Sequence, residues 1–464
     1  MTAPGTRAGT PATDTDDLDV EEALALVRDV HKDPGDDGTG QPPGTPAQPS
    51  GERHRATPWP RAREIAARAA RAQGPRKEDG GATGARRAPV PVSLGDALGL
   101  VLAAPLEALT DLPSFDTSAM DGWAVAGPGP WQVREDGVLA GHAQPDPLTD
   151  GEAVRIATGA RIPADTTAVL RTEHGRIDAQ GRLHTTREML HGQDIRSRGQ
   201  ECRTGDQLLP VGTLVTPAVL GLAAAAGYDT VTVVPRPRVE VLILGDELLT
   251  GGLPHDGLIR DALGPMLPPW LRALGADVVA VRRIGDDARA LRKAVTGSAA
   301  DVIVTTGGTA AGPVDHVHPV LERIGAELLV DGVKVRPGHP MLLARVSDHQ
   351  HLVGLPGNPL AAVSGLLTLA EPLLRTLAAR PAPEPYTLPL KEAVQGHPHD
   401  TRLIPVVLRG DHAVPLRYNG PAMLRGVAAA DALAVVPPGG ARQDEETELL
   451  DLPWATAGIG VCFT

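Results

Sequence analysis

Val239-Glu-Val-Leu-Ile-Leu-Gly-Asp-Glu-Leu248 is the stretch that decides the fold, because an apolar run of strand length stops abruptly at a glycine and two acids. Two later stretches, Asp301-Val-Ile-Val-Thr-Thr-Gly-Gly308 and His351-Leu-Val-Gly-Leu-Pro-Gly-Asn-Pro359, end in a similar manner. Short apolar runs bounded by turn residues are typical of buried strands. Helical patterns lie between these runs, which predicts a parallel, doubly wound α/β sheet.

Acidic residues follow several of these predicted strands. In a doubly wound sheet the carboxyl ends of the strands face one crevice, where ligands bind. Asp246 and Glu247 follow the first strand, and their carboxylate oxygens suit a divalent cation such as Mg²⁺. The sequence leaves equally open that one or both acids cap the segment that follows. Asp287, after the predicted strand Asp277-Val-Val-Ala-Val281, has the same two interpretations.

Glycine-rich and proline-rich turns at the same edge indicate an anion site. Thr306-Gly-Gly-Thr-Ala-Ala-Gly-Pro-Val-Asp315 lets backbone N–H groups approach a phosphate, although such turns are also common without a ligand. Gly354-Leu-Pro-Gly-Asn-Pro359 predicts a rigid strand-to-helix turn that presents backbone groups, with a simple tight turn as the alternative. Arg336 adds an always charged guanidinium beside another glycine turn. Three histidines lack the spacing of a metal cluster: His316, His318 and His339.

A polar loop in the first half of the chain is a second candidate site. Asp111-Leu-Pro-Ser-Phe-Asp-Thr-Ser-Ala-Met-Asp-Gly-Trp-Ala-Val125 combines acids and hydroxyls with two of the few aromatic residues. Arg155-Ile-Ala-Thr-Gly-Ala-Arg-Ile-Pro163 and Asp194-Ile-Arg-Ser-Arg-Gly-Gln-Glu201 add a hydroxyl, arginines and acids. This polar density favours a site, and a packing role is the alternative.

Size and composition exclude several classes of protein. A chain of 464 residues should form several domains, and a net charge of -13 argues against a general nucleic-acid binder. Two distant cysteines, Cys202 and Cys462, predict neither a disulfide framework nor a zinc site. The sequence lacks an uninterrupted apolar stretch long enough for a membrane helix and a signal-peptide core near Met1, so we expect a cytoplasmic protein without a membrane partner.

Local patterns predict the remaining elements. Residues 1–88 are rich in Pro, Gly and charged residues, which predicts a disordered extension. Within it, Arg61-Ala-Arg-Glu-Ile-Ala-Ala-Arg-Ala-Ala-Arg71 favours a transient, solvated helix, and a docking element is the alternative. Ser93-Leu-Gly-Asp-Ala-Leu-Gly-Leu-Val-Leu102 predicts an amphipathic helix capped by Ser93. Three short runs predict strands: Ala153-Val-Arg-Ile156, Ala168-Val-Leu-Arg171 and Leu433-Ala-Val-Val436.

Taken in order, these motifs resemble those of the molybdopterin molybdotransferase family, the molybdenum insertases that include the gephyrin E domain. The resemblance extends from Val90 to the C-terminus. Its carriers are Phe115-Asp-Thr-Ser-Ala-Met-Asp-Gly-Trp-Ala124, Ala157-Thr-Gly-Ala-Arg-Ile-Pro163, Ile195-Arg-Ser-Arg-Gly199, Gly245-Asp-Glu-Leu248, the glycine loop from Gly307 to Asp315, Arg336-Pro-Gly338, Gly354-Leu-Pro-Gly-Asn-Pro359 and Asn419-Gly-Pro-Ala-Met-Leu-Arg-Gly426.

The resemblance implies an α/β plus β multidomain fold and an elongated homodimer. Its doubly wound α/β domain would bind the pterin, and its other parts would be an interrupted α+β dimerisation domain, an inserted β lid and a C-terminal β-barrel. On this basis the predicted boundaries are 1–88 for the extension, 89–130 with 190–236 for the dimerisation domain, 131–189 for the lid, 237–380 for the α/β domain and 381–464 for the barrel.

The resemblance also implies the reaction. Adenylylated molybdopterin and molybdate, with Mg²⁺, would give molybdenum cofactor and AMP at a site between the α/β crevice of one subunit and the first domain of the other. Molybdopterin adenylyltransferase and the enzymes that use the cofactor would be its protein partners. Two alternatives stay open: a paralogue that binds the pterin cofactor without catalysis, and a molybdopterin adenylyltransferase.

Residue roles follow from the matching positions. The resemblance implies catalytic roles for Asp121, Glu247, Asp287 and Asp315, and metal binding by Asp246, Glu247 and Asp315. The residues implied to bind the pterin nucleotide are Asp116, Ser118, Thr158, Arg196, Arg198, Gly307, Gly308, Gly312, Arg336, Pro356, Gly357 and Asn358. The sequence departs from the family pattern at Ala310, His339 and Ala361, which replace a serine, a lysine and a small hydroxyl residue, and these losses bear on catalytic competence.

Overall fold

The computed structural model describes residues 56–70, 88–138, 141, 145–309 and 315–453, within a compact unit that spans His54–Thr464. The first elements are β1 (Thr57–Pro58) and helix α1 (Trp59–Ala69). Helix α1 buries a face of alanines against the core, and the Trp59 indole donates a buried hydrogen bond of 3.0 Å to the Thr368 hydroxyl.

The prediction that residues 1–88 form a disordered extension is wrong for residues 56–70. Ala62, Ala66 and Ala69 recur at helical spacing, so a face without bulky side chains approaches the core closely. Trp59 adds the large apolar surface that composition alone does not reveal, because one indole buries much more area than an alanine. The rest of that prediction concerns residues 1–55 and 71–87, which lie outside the described residues.

The first domain contains short strands from both sides of an insertion. Before the insertion come β2 (Val90–Ser93), β3 (Val101–Leu102), β4 (Leu106–Glu107) and β5 (Thr117–Ser118). The predicted helix from Ser93 to Leu102 is wrong. Ser93 does cap a turn, but this is a single 3₁₀ turn, Leu94–Asp96, and β3 follows it. Two glycines within ten residues weaken a helix there, and β14, introduced below, offers pairing to both β2 and β3.

The insertion is a six-stranded sheet in the order β10-β11-β7-β8-β6-β9. Its strands are β6 (Gly122–Val125), β7 (Trp131–Val138), β8 (Glu152–Ile156), β9 (Ala168–Arg171), β10 (Gly175–Ile177) and β11 (Arg182–Thr185). The strands predicted at residues 153–156 and 168–171 are confirmed as β8 and β9. The chain returns to the first domain through β12 (Ile195–Arg196), β13 (Gln207–Leu209), helix α2 (Pro217–Ala225) and β14 (Thr230–Val234).

The α/β part is a six-stranded sheet in the order β18-β15-β19-β23-β22-β20. Its strands and a small pair are β15 (Arg238–Leu244), β16 (Leu248–Leu249), β17 (Ile259–Arg260), β18 (Asp277–Ile284), β19 (Val302–Thr306), β20 (Glu327–Asp331), β21 (Val333–Arg336), β22 (Leu342–Ser347) and β23 (Gln350–Leu355). Its helices are α3 (Leu263–Ala273), α4 (Ala288–Thr296), α5 (Val317–Arg323) and α6 (Pro359–Leu377), with a π turn at Leu366–Ala370 in α6.

Strand pairing in this sheet largely matches the prediction. Strands β18, β15, β19 and β23 run parallel, as predicted. Strands β22 and β20 add an antiparallel edge that the sequence pattern did not indicate. Helices α1, α3 and α6 cover one face and α4 and α5 the other, so the sheet is doubly wound.

The C-terminal part is a β domain that extends into the rest of the molecule. Its elements are β24 (Thr387–Pro389), β25 (Val394–Gln395), β26 (Thr401–Arg409), β27 (His412–Pro415), helix α7 (Arg425–Ala428), β28 (Ala432–Val436), β29 (Gly440–Ala441) and β30 (Glu446–Asp451). Strand β28 confirms the run predicted at residues 433–436. The sheet order β1-β21-β26-β28-β30-β24 joins the chain's first strand and a strand from the α/β part to this domain.

Helix α6 has the length and apolar composition of a membrane span, but 78% of its apolar window is buried inside the molecule. It also contains Glu371 and Arg375, which pair at 2.7 Å. Its position between the sheet and α1 accounts for the apolar composition, since a core helix buries residues on nearly every side.

The packing of α1 predicts that Trp59→Ala destabilises the protein by about 3 kcal/mol or more, since it leaves a cavity and removes the bond to Thr368. The measurement is urea unfolding followed by circular dichroism. Arg61→Ala is the matched control on the exposed face of the same helix, with an expected change below about 0.5 kcal/mol. Equal stability of the Trp59→Ala variant and the wild type would contradict the docking of α1.

A second prediction concerns His351 in β23, whose ring is fully buried and has no hydrogen-bond partner among the residues that the structure describes. Burial, followed by the charge of Arg345, lowers its pKa from 6.5 to about 4. Between these pH values the unfolded chain binds a proton that the folded chain excludes, so stability falls as the pH falls. A shift from 6.5 to about 4 corresponds to about 3 kcal/mol.

His351→Leu removes this titration. The stability advantage of the variant over the wild type should therefore grow by about 3 kcal/mol between pH 7 and pH 4. Parallel pH–stability curves for the two proteins in chemical denaturation would contradict the buried neutral imidazole.

Candidate active site at the carboxyl edge of the α/β sheet

A cleft of about 230 Å³ lies where β15, β18 and β19 end. These strands are parallel neighbours, so the segments that follow them meet at one edge. The lining residues are Leu244, Gly245, Glu247, Gly285, Asp286, Asp287, Leu291, Gly307, Gly308 and His316. The structure thus brings together four of the predicted site residues: Glu247, Asp287, Gly307 and Gly308.

The Glu247 carboxylate is available to a ligand in this cleft, as is that of Asp286. The Glu247 side chain is exposed, and it makes no hydrogen bond or ion pair with any residue that the structure describes. Gly245 has a φ of +126°, and a side chain there would collide with the Glu247 carboxylate. The glycine therefore permits the turn that places this carboxylate over the end of β15.

Two other predicted acids form local hydrogen bonds. Asp246 accepts a bond of 3.3 Å from the backbone N–H of Asp286, which ties the turn after β15 to the turn after β18. Asp287 caps α4 by accepting a bond of 2.7 Å from the backbone N–H of Arg289, and it also lines the cleft. Asp287 therefore caps α4, and its position in the cleft is compatible with the predicted site role.

Asp315 lies beside His318 at the start of α5. The His318 Nδ1 atom is 2.8 Å from Asp315 Oδ2, and its Nε2 atom is 2.9 Å from Asp331 Oδ1. Burial lowers the pKa of His318, but the hydrogen bond to Asp331 and the charge of Asp315 outweigh it, so the pKa is raised. Asp315 is not among the residues that line the cleft, although its neighbour His316 is.

The glycine loop and the proline turn lie against each other. The N–H of Gly307 donates to the Leu355 carbonyl at 2.8 Å, and a Cβ on Gly357 would lie 3.7 Å from the Gly307 Cα atom. Pro356, Gly357 and Asn358 thus lie next to the loop that lines the cleft. Predicted site residue Gly312 and the replaced residue Ala310 fall in 310–314, outside the described residues.

The C-terminal domain caps the helix that follows the proline turn. The Pro421 carbonyl accepts bonds of 2.9 and 3.2 Å from the N–H groups of Leu360 and Ala361. These two N–H groups at the start of the helix therefore already have a hydrogen-bond acceptor within the protein. Ala361, where the family pattern has a hydroxyl, is buried and keeps its backbone bond.

Arg336 is placed at the boundary between the α/β and C-terminal parts. Its Nε atom donates to the buried Asp400 carboxylate at 3.0 Å, and it is not among the residues that line the cleft. His339, at the position of a family lysine, has its Nδ1 atom 2.9 Å from the Val333 carbonyl oxygen. The guanidinium of Arg336 therefore joins two domains in this chain.

The predicted residues of the first domain form a separate cluster. Asp121 accepts bonds of 2.7 and 2.9 Å from the N–H and hydroxyl of Thr158, and these bonds lower its pKa. Asp116 accepts a bond of 2.7 Å from the Arg198 N–H, and the buried Ser118 hydroxyl donates to the Met120 carbonyl at 2.6 Å. The Arg198 side chain forms an ion pair with Asp111. Hydrogen bonds from Thr204, and to a smaller extent from Arg198, lower the pKa of Asp111 to about 2.

Arg196 lies in a second, more open depression together with Glu201 and residues of α2. Across the described ranges, the structure gives no hydrogen bond between this first-domain cluster and the cleft residues. The predicted residues therefore form two separate groups. The members of each group lie near one another, but no hydrogen bond between described residues joins one group to the other.

Two further residues line the cleft. Asp286 belongs to the acidic pair that the sequence places after β18, and His316, which lacks metal-ligand spacing in the sequence, lies beside Asp315. The spacing of Asp315 and His318 on one helix turn could have indicated their pairing. Nothing in the sequence pointed to Pro421 as a helix cap.

The donor set of the cleft limits how it would hold a metal. In the described part of the chain, no three His, Cys, Asp or Glu side chains are grouped as a metal site. Mg²⁺ is usually bound by one or two carboxylates together with substrate phosphates. Glu247 with Asp286 or Asp287 fits such an ion when a phosphate-bearing ligand supplies the remaining oxygens.

Three family models match successive parts of the chain. The MoeA N-terminal region, domains I and II, matches residues 58–227. A probable molybdopterin binding domain matches residues 240–376, which include the cleft. The MoeA C-terminal region, domain IV, matches residues 387–450. Together these matches identify the class of protein as a protein of molybdenum cofactor biosynthesis.

Individual relatives agree with the models. A protein named molybdopterin molybdenumtransferase 2, from Mycobacterium tuberculosis, is 35% identical over 373 residues, which are 75% of this chain and 91% of that protein. A molybdopterin molybdenumtransferase from Staphylococcus aureus is 28% identical over 384 residues, 78% of this chain and 90% of that one. A crystal structure of a MoeA molybdopterin biosynthesis protein from Pyrococcus horikoshii has a TM-score of 0.68 and 25% identity, covering 86% of this chain and 99% of that one.

The chain belongs to the MoeA family of molybdopterin molybdenumtransferases. It is a transferase of molybdenum cofactor biosynthesis. The family resemblance, the α/β plus β multidomain fold and the enzyme class predicted from the sequence are confirmed.

Proposed function

We propose that the protein inserts molybdate into adenylylated molybdopterin with release of AMP, and that the cleft binds the phosphate-bearing part of that substrate. The observation that carries the proposal is the meeting of the Glu247 carboxylate with Gly307 and Gly308 in one cleft of the matched molybdopterin-binding region. Such a combination suits an anion that is accompanied by a divalent cation.

The chemistry needs no protein nucleophile. The dithiolene sulfurs of the substrate would bond molybdenum in place of one molybdate oxygen, which leaves as water with the thiol protons. Another water would cleave the phosphoanhydride bond to release AMP, and the protein's part is to orient the substrate and offset its charge. The N–H of Gly307 is occupied by Leu355, which leaves the N–H of Gly308 for a phosphate oxygen. Asp287 caps α4 at the cleft, so it fixes the position of this helix next to the ligand.

Mg²⁺ bound here would neutralise charge on the phosphate oxygens. Of the three predicted metal ligands, Glu247 has both carboxylate oxygens available to bind Mg²⁺. Asp246 and Asp315 already accept hydrogen bonds from Asp286 and His318, so their contribution is to shape the loops around the cleft.

We infer that a second copy of the chain completes the site. Helix α2 exposes small apolar residues: Pro217, Ala218, Gly221, Ala224 and Ala225. Leu109 and Val211, both in the first domain, are 56% and 58% exposed. Such a surface suits burial against the same surface of another copy. A dimer of this kind would let Asp116, Ser118, Asp121, Thr158, Arg196 and Arg198 of one subunit face the cleft of the other.

The cellular setting follows from the proposed reaction. A molybdopterin adenylyltransferase would supply the substrate, and enzymes that use the cofactor would receive the product. We place these exchanges in the cytoplasm, in keeping with the acidic composition of the chain.

The proposed role of Glu247 predicts that Glu247→Gln lowers the rate of AMP release about tenfold or more, because it removes the free negative charge at the cleft. The assay contains purified protein, adenylylated molybdopterin, molybdate and Mg²⁺. Glu322→Gln is the control, since Glu322 is an exposed acid on α5 that does not line the cleft. Equal rates for both variants would remove Glu247 from the proposal.

The same assay separates the alternative functions. Folded wild-type protein that binds the pterin nucleotide but releases no AMP above a blank would be a carrier. Consumption of ATP with molybdopterin in the absence of molybdate would identify an adenylyltransferase. Release of AMP that depends on molybdate supports the transferase reaction.

The proposed dimer predicts that Ala225→Arg yields monomers in light scattering, because a long charged side chain on α2 cannot be buried at an apolar interface. Ala429→Arg, at an exposed position after α7, should leave the dimer intact. A monomeric wild-type protein would rule out the composite site.

A further inference from the structure

His318 is held at both ring nitrogens by carboxylates. Its Nδ1 atom lies 2.8 Å from Asp315 Oδ2, and its Nε2 atom lies 2.9 Å from Asp331 Oδ1. The backbone N–H of His318 also donates to Asp315 Oδ1 at 3.3 Å. Ionised carboxylates only accept hydrogen bonds, so each ring nitrogen must donate. The imidazole therefore bridges two acids that lie 13 residues or more apart from each other in sequence.

The two acids belong to segments with different parts in the site. Asp315 lies two residues before α5, next to the cleft residue His316. Asp331 ends β20, just before β21, whose last residue is Arg336. The His318 side chain thus ties the segment at the start of α5 to the end of β20, which leads into the strand that carries Arg336.

The surroundings make this link stronger than a surface ion pair. The side chains of Asp315, His318 and Asp331 are 13%, 27% and 29% exposed. Charge-assisted hydrogen bonds gain strength where water is partly excluded. Asp315 is the most shielded of the three, so water is least able to replace the imidazole as its hydrogen-bond partner.

The chain contains a similar arrangement away from the cleft. His412 lies 2.7 Å from Asp411 and 3.4 Å from Asp444 in the C-terminal domain. There the aspartates are 91% and 62% exposed, and the histidine joins a hairpin turn to a nearby loop. His412 therefore reproduces the chemistry of His318 without its place beside the cleft.

We propose that His318 is a positioning residue: it holds Asp315, and with it the adjacent cleft residue His316, in place relative to the segment that leads to Arg336. Without His318, the Asp315 carboxylate would lose its side-chain hydrogen-bond partner beside a cleft that already contains Glu247, Asp286 and Asp287. The segment from Asp315 to His318 would also lose its side-chain tie to β20. This inference rests on the proposed AMP-releasing reaction for its kinetic consequence, but not for the tie itself.

The test compares His318→Ala with His318→Gln and with the control His412→Ala in the full-length protein. For His318→Ala we expect the kcat of AMP release to fall about tenfold or more, with KM changed by less than about threefold, because His318 does not line the cleft. A glutamine amide keeps one of the two hydrogen bonds, so His318→Gln should recover part of the rate. His412→Ala should keep the wild-type rate.

Hydrogen exchange measured by mass spectrometry gives a readout that does not require activity. Amides of residues 315–320 and of 331–336 should both exchange faster in His318→Ala, while His412→Ala leaves them unchanged. Unchanged exchange in both segments would overturn the proposed tie, whatever the kinetics show.

The kinetic and exchange results together separate the outcomes. Faster exchange with a wild-type kcat would overturn the positioning role. The positioning role would also be overturned if His318→Ala lost AMP-releasing rate in proportion to its loss of folded protein and His318→Gln recovered none of the rate. If the wild type itself releases no AMP, the proposed function fails, and the exchange result alone decides whether the tie exists.

Discussion

The parallel pairing of β15 with β18 and β19 is the constraint on which the site depends. It places the ends of three strands at one edge, so that Glu247, Asp287 and Gly307 line the same cleft although 60 residues separate the first from the last. The two apolar faces of the sheet hold this arrangement, because helices cover both. Any change that shifts the pairing by one residue would turn the buried valines of the strands toward the wrong face.

A concentration of acids at one edge is costly unless the charges are offset. In this protein, neighbouring backbone and side-chain groups offset the charge of most of these acids. Asp246 accepts a backbone N–H of the neighbouring turn, Asp287 caps a helix, and Asp315 is paired with a histidine. Glu247 and Asp286 are left with carboxylate oxygens that accept no hydrogen bond from any residue that the structure describes.

The domains are coupled through backbone and buried polar contacts around α6. Pro421 of the C-terminal domain caps α6, directly after the proline turn of the site. Asp400 of the same domain holds Arg336, and β1 and β21 extend the C-terminal sheet. Helix α1 bonds the π turn of α6 through Trp59, which donates to the Thr368 hydroxyl, and Arg63, which donates to the Leu367 carbonyl. Helix α6 is consequently held by α1 at its π turn and by the C-terminal domain at its first residues.

The sequence by itself determined the parallel strands β15, β18, β19 and β23 of the α/β sheet, the order of the motifs and the family, because apolar runs that end in Gly, Pro and Asp have few structural solutions. It also indicated that Glu247, Asp287, Gly307 and Gly308 share an edge. Only the tertiary structure decided that α1 docks on α6, where Trp59 and Thr368 are 309 residues apart. The same holds for His318 between Asp315 and Asp331 and for the cap from Pro421. A pattern of residue types records which face of an element is apolar, but partners distant in sequence are chosen by three-dimensional packing.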